Sequence, residues 1–308
     1  MKLVDPVLYI KLAASRNLPT PQGLALSITK LLRNDNYKIE DLVRLVQSDP
    51  ALAGELLKFS NAASFGNSRP IISLPKAVIT LGTRQVGVLV LALSILHSNR
   101  VGLCFDFDYE RYWSRALATA ISAQALASYA KINNEDNFTA GLLSGVGELA
   151  LAAIFPERYG EIIAFSEGNI HKQLALEREA FATDHHELTA SMLLEWRLPE
   201  VLVQAIYHCE APDESEFAEG SRIHGLALTL QLACALAEIC VSKGVHLAMF
   251  TDLYAKATRL GIGSEEFDSI ADSIIADWIE WGELLKIQAR EIPPFTEMRA
   301  LSQVEEGF

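Results

Sequence analysis

Cysteine is scarce in this 308-residue sequence, and the four present (Cys104, Cys209, Cys234, Cys240) form no C-x-x-C pair. That spacing argues against a disulfide framework and a thiolate zinc site, and it fits a reducing compartment. Positive charge is short as well: 26 Lys and Arg face 39 Asp and Glu, a net charge of -13. Such a balance repels nucleic acid and an anionic membrane surface, and no local basic patch offsets it, so neither partner is expected. Apolar runs are short too. The most apolar one, Val86 to Leu96, has 11 residues between Arg84 and His97, against the roughly 20 that a spanning helix needs. At the start, Met1-Lys2-Leu3-Val4-Asp5-Pro6 places an acid and a proline where a secretory signal has unbroken apolar residues. The expected location is cytoplasmic.

What the sequence does have is apolar content, 50% of residues, recurring three and four apart and nowhere alternating long enough for a sheet. This predicts an all-α fold. Ile39, Leu42, Val43 and Val46 form one helical stripe that Asp49-Pro50 stops, starting the next helix with proline in its first turn. Thr20-Pro21 and Ser73-Leu74-Pro75 give similar start signals, for helices near 21–34 and 74–81, with the hydroxyls as caps. The polar stretch Val101 to Asp108 precedes a long helical region from about Tyr109 and marks a boundary. The expected organisation is an N-terminal helical subdomain (1–100), a second helical subdomain (101–245) and a C-terminal helical extension (246–308). Within it, Pro212 to Glu219 reads as an acidic loop, Gly225 to Cys240 as a central helix, and Phe267 to Ile279 as a one-sided helix.

Seven histidines are the natural candidates for hydrolytic metal chemistry on helices. His185 and His186 are adjacent, and neighbours on a helix diverge by about 100°, which disfavours a shared ion. His208, ending the apolar segment from Val201, reads as a protonated helix-end imidazole meeting free carbonyls. No G-x-S-x-G nucleophile motif occurs. The glycines of Gly141-Leu142-Leu143-Ser144-Gly145-Val146-Gly147 lack the lysine and preceding strand of a phosphate loop, and are read as sites of close helix approach.

Several ordered segments together resemble the HDOD family, relatives of the HD phosphohydrolases: Ser48-Asp49-Pro50-Ala51-Leu52, Asn61-Ala62-Ala63-Ser64-Phe65-Gly66, Ala77-Val78-Ile79-Thr80-Leu81-Gly82, Tyr112-Trp113-Ser114-Arg115, Ala140 to Gly147, Asp184-His185 and Leu194 to Pro199. The likeness runs from about residue 18 to 242 and implies a multi-helix HDOD bundle with an N-terminal helical subdomain. Where metal-binding HD proteins carry a histidine, a His-Asp pair and a late aspartate, this sequence has Arg115, Ser144 with Gly145, and Cys234. His185 and His208 match later histidines of some HD enzymes. The resemblance therefore implies a non-catalytic signalling or scaffolding module that binds a protein partner, with Arg115, Ser144, His185 and His208 around a vestigial ligand cleft and no metal or cofactor. Arg115 is expected in a structural salt bridge in place of the ion. The alternative is a divergent phosphohydrolase built from His185, His208 and acids such as Glu179.

Overall fold

The three-and-four spacing becomes helix along the chain, and no strand occurs among the described residues. The computed structural model describes residues 1–305 except 16, 21–22, 33–36, 62–69 and 131–133. The start signal at Pro21 and the motif residues Ala62 to Gly66 lie outside the described residues.

The first hundred residues form α1 (Pro6–Ala14), α2 (Gly23–Leu32), α3 (Ile39–Gln47), α4 (Pro50–Ser60), α5 (Leu74–Leu81) and α6 (Thr83–Ser98). The Asp49-Pro50 corner is as expected: the Asp49 carboxylate accepts from the amides of Ala51 and Leu52 at 3.0 and 3.1 Å, and Pro50 fills the first turn. Behind it, Leu42, Val43 and Val46 of α3 are buried while Ile39 stays exposed. The Ser73 hydroxyl makes no cap bond, contrary to expectation. Its backbone carbonyl closes the turn with the Ala77 amide, and Pro75 removes one amide that would otherwise lack a partner.

The next eight helices are α7 (Tyr109–Leu126), α8 (Asn134–Leu143), α9 (Val146–Ile154), α10 (Pro156–Ser166), α11 (Ile170–Phe181), α12 (His185–Glu195), α13 (Glu200–Tyr207) and α14 (Arg222–Val241). Asp108 caps α7 by accepting from the Arg111 amide. Helix α14 packs along α7, and its apolar residues are buried on nearly every face, as a central helix requires. Two segments, Asn137–Ile154 and Arg222–Val241, are long and apolar enough to cross a membrane by length and composition, and 72% and 61% of them is buried inside the fold. Neither is an uninterrupted apolar run, so a search for such runs passes over both.

The C-terminal helices α15 (Leu247–Arg259), α16 (Ser264–Leu285) and α17 (Phe295–Glu305) pack onto the core. Phe267, Ala271, Ile274, Ile275 and Trp278 of the expected stripe are buried, and the Trp278 indole donates to the Ser114 carbonyl of α7 at 3.0 Å. Trp281 meets Phe59 of α4 and Phe138 of α8 in one aromatic cluster, so α16 ties both earlier groups of helices together. At the other end of the chain, α1 lies against α12: Lys2 pairs with Glu187 at 2.6 Å, the Val4 amide donates to the Ser191 hydroxyl, and Tyr9 donates to Glu195.

Two glycines set how closely helices approach. A Cβ at Gly141 would stand 2.7 Å from the Ala120 Cα on α7, and one at Gly147 would stand 2.0 Å from the His185 carbonyl oxygen on α12. Gly54, by contrast, has open space around its missing Cβ. Gly147→Ala is expected to lower stability by about 2–3 kcal/mol through forced separation of α9 and α12, whereas Gly54→Ala raises it by about 0.5–1 kcal/mol by restricting the unfolded chain. Urea denaturation checks both, and equal effects at the two sites would contradict the packing described.

Candidate functional site

The seam between α7, α9, α12 and α14 opens into a cleft of about 200 Å³, whose lining includes Arg115, Ser144, Glu148, His185, His186, Glu210, Cys234 and Glu238. Three of the four expected residues, Arg115, Ser144 and His185, therefore meet in one place, together with Cys234. His208 is not part of the lining. It ends α13 as expected, but its ring packs against Tyr207 and Phe217, with centroids 4.9 and 5.1 Å away, and that burial lowers its pKa. The neutral imidazole is favoured there, which corrects the expectation of a charged helix end.

Arg115 spans the floor of the cleft. Its guanidinium reaches Glu148 of α9 at 2.5 Å and Glu238 of α14 at 3.2 Å, and Glu238 also receives Arg111 at 2.5 Å. Burial by itself would raise the Glu148 carboxyl, but Arg115, and His185 beyond it, hold it below the ordinary carboxylate range. The Ser144 hydroxyl donates to the Gly141 carbonyl at 2.9 Å, so it is bound to its own helix end. Two residues past α13, the Cys209 thiol has its pKa pushed well up by the neighbouring Cys234 thiol and by burial.

The N-terminus of α12 holds the two adjacent histidines. Asp184 caps the helix by accepting from the Glu187 amide at 2.8 Å while its other oxygen pairs with Arg178. Ala182, at φ 58°, reverses the chain so that α11 folds back on α12. This brings Glu177, fully buried, against His185: its carboxylate accepts from the His185 amide at 2.9 Å and from Nδ1 at 2.7 Å, with Gln173 donating a further bond at 2.9 Å. Burial lowers the His185 pKa, but the carboxylates of Glu177, Glu148 and Glu210 outweigh it and push the imidazole up to about 9. With Nδ1 committed to Glu177, Nε2 is the ring's remaining donor atom.

His186 does not diverge from His185 as adjacent positions suggest. The two rings lie 4.4 Å apart, and His186 Nε2 is 3.4 Å from a Glu210 oxygen. Divergence of about 100° applies to the Cα–Cβ bonds; beyond Cβ, two side-chain torsions let the rings turn toward each other. Donor atoms of His185, His186 and Glu210 lie within 4.8 Å of one another. Glu179, the acid chosen from sequence, faces solvent on α11, two residues from the buried Glu177.

The positions that hold metal in HD enzymes thus carry a guanidinium bound to two carboxylates, a hydroxyl turned to its own helix, a glycine without a side chain, and a thiol. A divalent ion needs anionic or neutral donors converging on it, and these four do not fit one. No step through such an ion follows from them.

The match to known proteins agrees with this architecture. The HDOD domain model matches residues 18–212. A structure of the MmoQ response regulator from Methylococcus capsulatus str. Bath is 35% identical, covering 82% of this chain and 97% of that one at a TM-score of 0.52. A Shewanella amazonensis SB2B protein, 22% identical, shares the fold over 92% of this chain and 99% of that one at a TM-score of 0.67. An uncharacterized protein from Treponema pallidum (strain Nichols) is 27% identical over 215 residues, 67% of this chain and 41% of that protein, so the chain spans about two fifths of that curated relative. With the model covering well over half of its length and the helical fold shared throughout, the chain belongs to the HDOD domain family.

Proposed function

We propose that this chain is a cytoplasmic, non-catalytic bacterial signal-transduction or scaffolding protein that binds a protein partner through its helical surface and takes a small ligand in the α7–α9–α12–α14 cleft. The observation that carries this reading is Arg115, which occupies a metal-ligand position of HD enzymes and is bridged to Glu148 and Glu238. A fixed cation at that position opposes a divalent ion there, so the place from which a metal of HD enzymes activates water and neutralises phosphate charge is filled by a side chain instead. The likeness to a protein described as a response regulator, at 35% identity over nearly its whole length, supports the signalling part of the reading. The scarcity of basic residues supports a protein partner over a nucleic acid.

The direct test is hydrolysis of bis(p-nitrophenyl) phosphate and of cyclic dinucleotides by purified protein supplied with manganese, iron or zinc. The expected result is no turnover above the metal-only blank. Turnover proportional to protein and abolished by His185→Ala would replace this reading with that of a divergent phosphohydrolase.

Arg115 supports the fold as well. Arg115→Ala leaves the Glu148 carboxylate mostly buried without its cation, an expected loss of about 2 kcal/mol in urea denaturation, because the pair retains some solvent contact. Adding Glu148→Gln restores part of it. The pH dependence follows from the lowered Glu148 pKa: its stabilising contribution is complete above the ordinary value of 4.5 and is lost as pH falls through the lower folded value. This component of acid destabilisation is expected to disappear in Arg115→Ala, and an unchanged acid profile would show that the bridge contributes nothing.

A further inference from the structure

Three donor groups at one edge of the cleft have no role in the salt bridge on its floor. His185 and His186 begin α12, Glu210 follows α13, and their donor atoms lie within 4.8 Å of one another. We propose that His185, His186 and Glu210 form a binding site for one transition-metal dication of zinc-like character, held as a ligand. The inference rests on the non-catalytic reading above and names the small ligand that the cleft takes. The site uses none of the positions Arg115, Ser144, Gly145 and Cys234, and lies on the α12–α13 side of the cleft.

Spacing is the first argument. Two donors each about 2.1 Å from a tetrahedral ion stand about 3.4 Å apart, and His186 Nε2 is 3.4 Å from the Glu210 carboxylate. His186 and Glu210 are only partly enclosed and are the groups free to close the remaining gap to His185, whose ring is fixed.

That fixing is the second argument. The carboxylate of Glu177 binds Nδ1 of His185 and is itself held by the His185 amide and Gln173, so Nε2 is presented in one orientation, and an ion binding there releases the Nε2 proton to solvent. A carboxylate behind a ligating imidazole orients it and raises its basicity. The backbone supports the same geometry, since the Asp184 cap and the Arg178 pair pin the first turn of α12.

Charge is the third. Four carboxylates stand in or behind the cleft, Glu148, Glu210, Glu238 and Glu177, against two guanidiniums: Arg115, shared between Glu148 and Glu238, and Arg111, which pairs with Glu238. The surplus is negative and favours a cation over a phosphate. Two imidazoles with one carboxylate form a donor set suited to zinc and its neighbours and poorly suited to magnesium or calcium. The open cleft leaves the fourth position to water or to a side chain from a partner.

The test uses the full-length protein, stripped with chelator and titrated with cobalt(II) by visible absorption and with zinc by calorimetry. Expected are one equivalent bound, the intense visible bands of four-coordinate cobalt, and a zinc-dependent rise in Tm. His186→Ala and Glu210→Gln, both at partly exposed positions and expected to melt like the parent when metal-free, each weaken binding by about tenfold or more. Glu177→Gln, which touches no ion, weakens it by about 10- to 100-fold. Absence of stoichiometric binding, unchanged affinity in both ligand variants, or a sulfur-to-cobalt charge-transfer band placing the ion on Cys209 and Cys234 would overturn the proposal. Bis(p-nitrophenyl) phosphate assayed with the zinc-loaded protein separates the two readings. Turnover there would defeat the non-catalytic reading with the metal site intact, and failure to bind metal would defeat the site with that reading intact.

Discussion

A guanidinium with carboxylates from two other helices around it governs the interior of this protein. Arg115 comes from α7, Glu148 from α9 and Glu238 from α14, so one cation joins three helices at the point where their packing is least apolar. Enclosing an arginine without partners is costly, and so is enclosing the Glu148 carboxylate; with Glu238 on the more open side, the three are tolerable because each satisfies the others. The arrangement fixes the interior charge without an ion. It also leaves the remaining cleft acidic, because Glu210 has no arginine of its own and faces His186 instead.

The second constraint is steric. Gly147 lets α9 close onto the His185 carbonyl, and the Gly147 amide then donates to the Thr189 hydroxyl at 2.9 Å, one turn further along α12. The first turn of α12 is therefore held from two sides: by α9 through a missing side chain, and by α11 through Glu177. Adjacent histidines can share a task only when the backbone presenting them is immobile, and at this helix end the cap, the reversal at Ala182 and the buried carboxylate all restrict it.

Much of this was legible in the sequence. Asp49-Pro50 announced its corner, the one-sided stripe of α16 announced its buried face, and the glycines around Ser144 announced close contact, because each depends on local chemistry within a few residues. Arg115, Ser144 and His185 were marked by resemblance, and they do meet. The carboxylates were not legible. Glu148, Glu177, Glu210 and Glu238 look like ordinary solvated acids, and only tertiary contact shows which reach the cleft; Glu179, one of the acids expected there, lies two positions from Glu177, enough to turn its side chain to solvent. One signal is available: an arginine expected in the interior requires acids beside it, and Glu148 directly follows the glycine-bounded segment Gly141 to Gly147. His186 is hidden for a different reason: the helix fixes only the directions in which adjacent side chains leave the backbone, and the two rings meet beyond that point.

The position of the cleft bears on how a signalling protein of this kind can report what it binds. Helix α12 starts in the cleft at His185, and the N-terminal segment runs along it: Glu187 in its first turn, Ser191 in its middle and Glu195 at its end receive Lys2, Val4 and Tyr9 of the first helix and its lead-in. A rigid helix of 11 residues carries a displacement at one end to the other with little loss. At the far end of α12 the contact is the exposed hydrogen bond from Tyr9 to Glu195, and exposed polar contacts are weak individually. The helix thus joins a tightly held first turn, where Glu187 is buried, to a Glu195 end whose contact with Tyr9 is exposed. On the function proposed above, a ligand in the cleft would contribute differential contact energy at the tight end, and the exposed end is where that energy would change the surface offered to a partner.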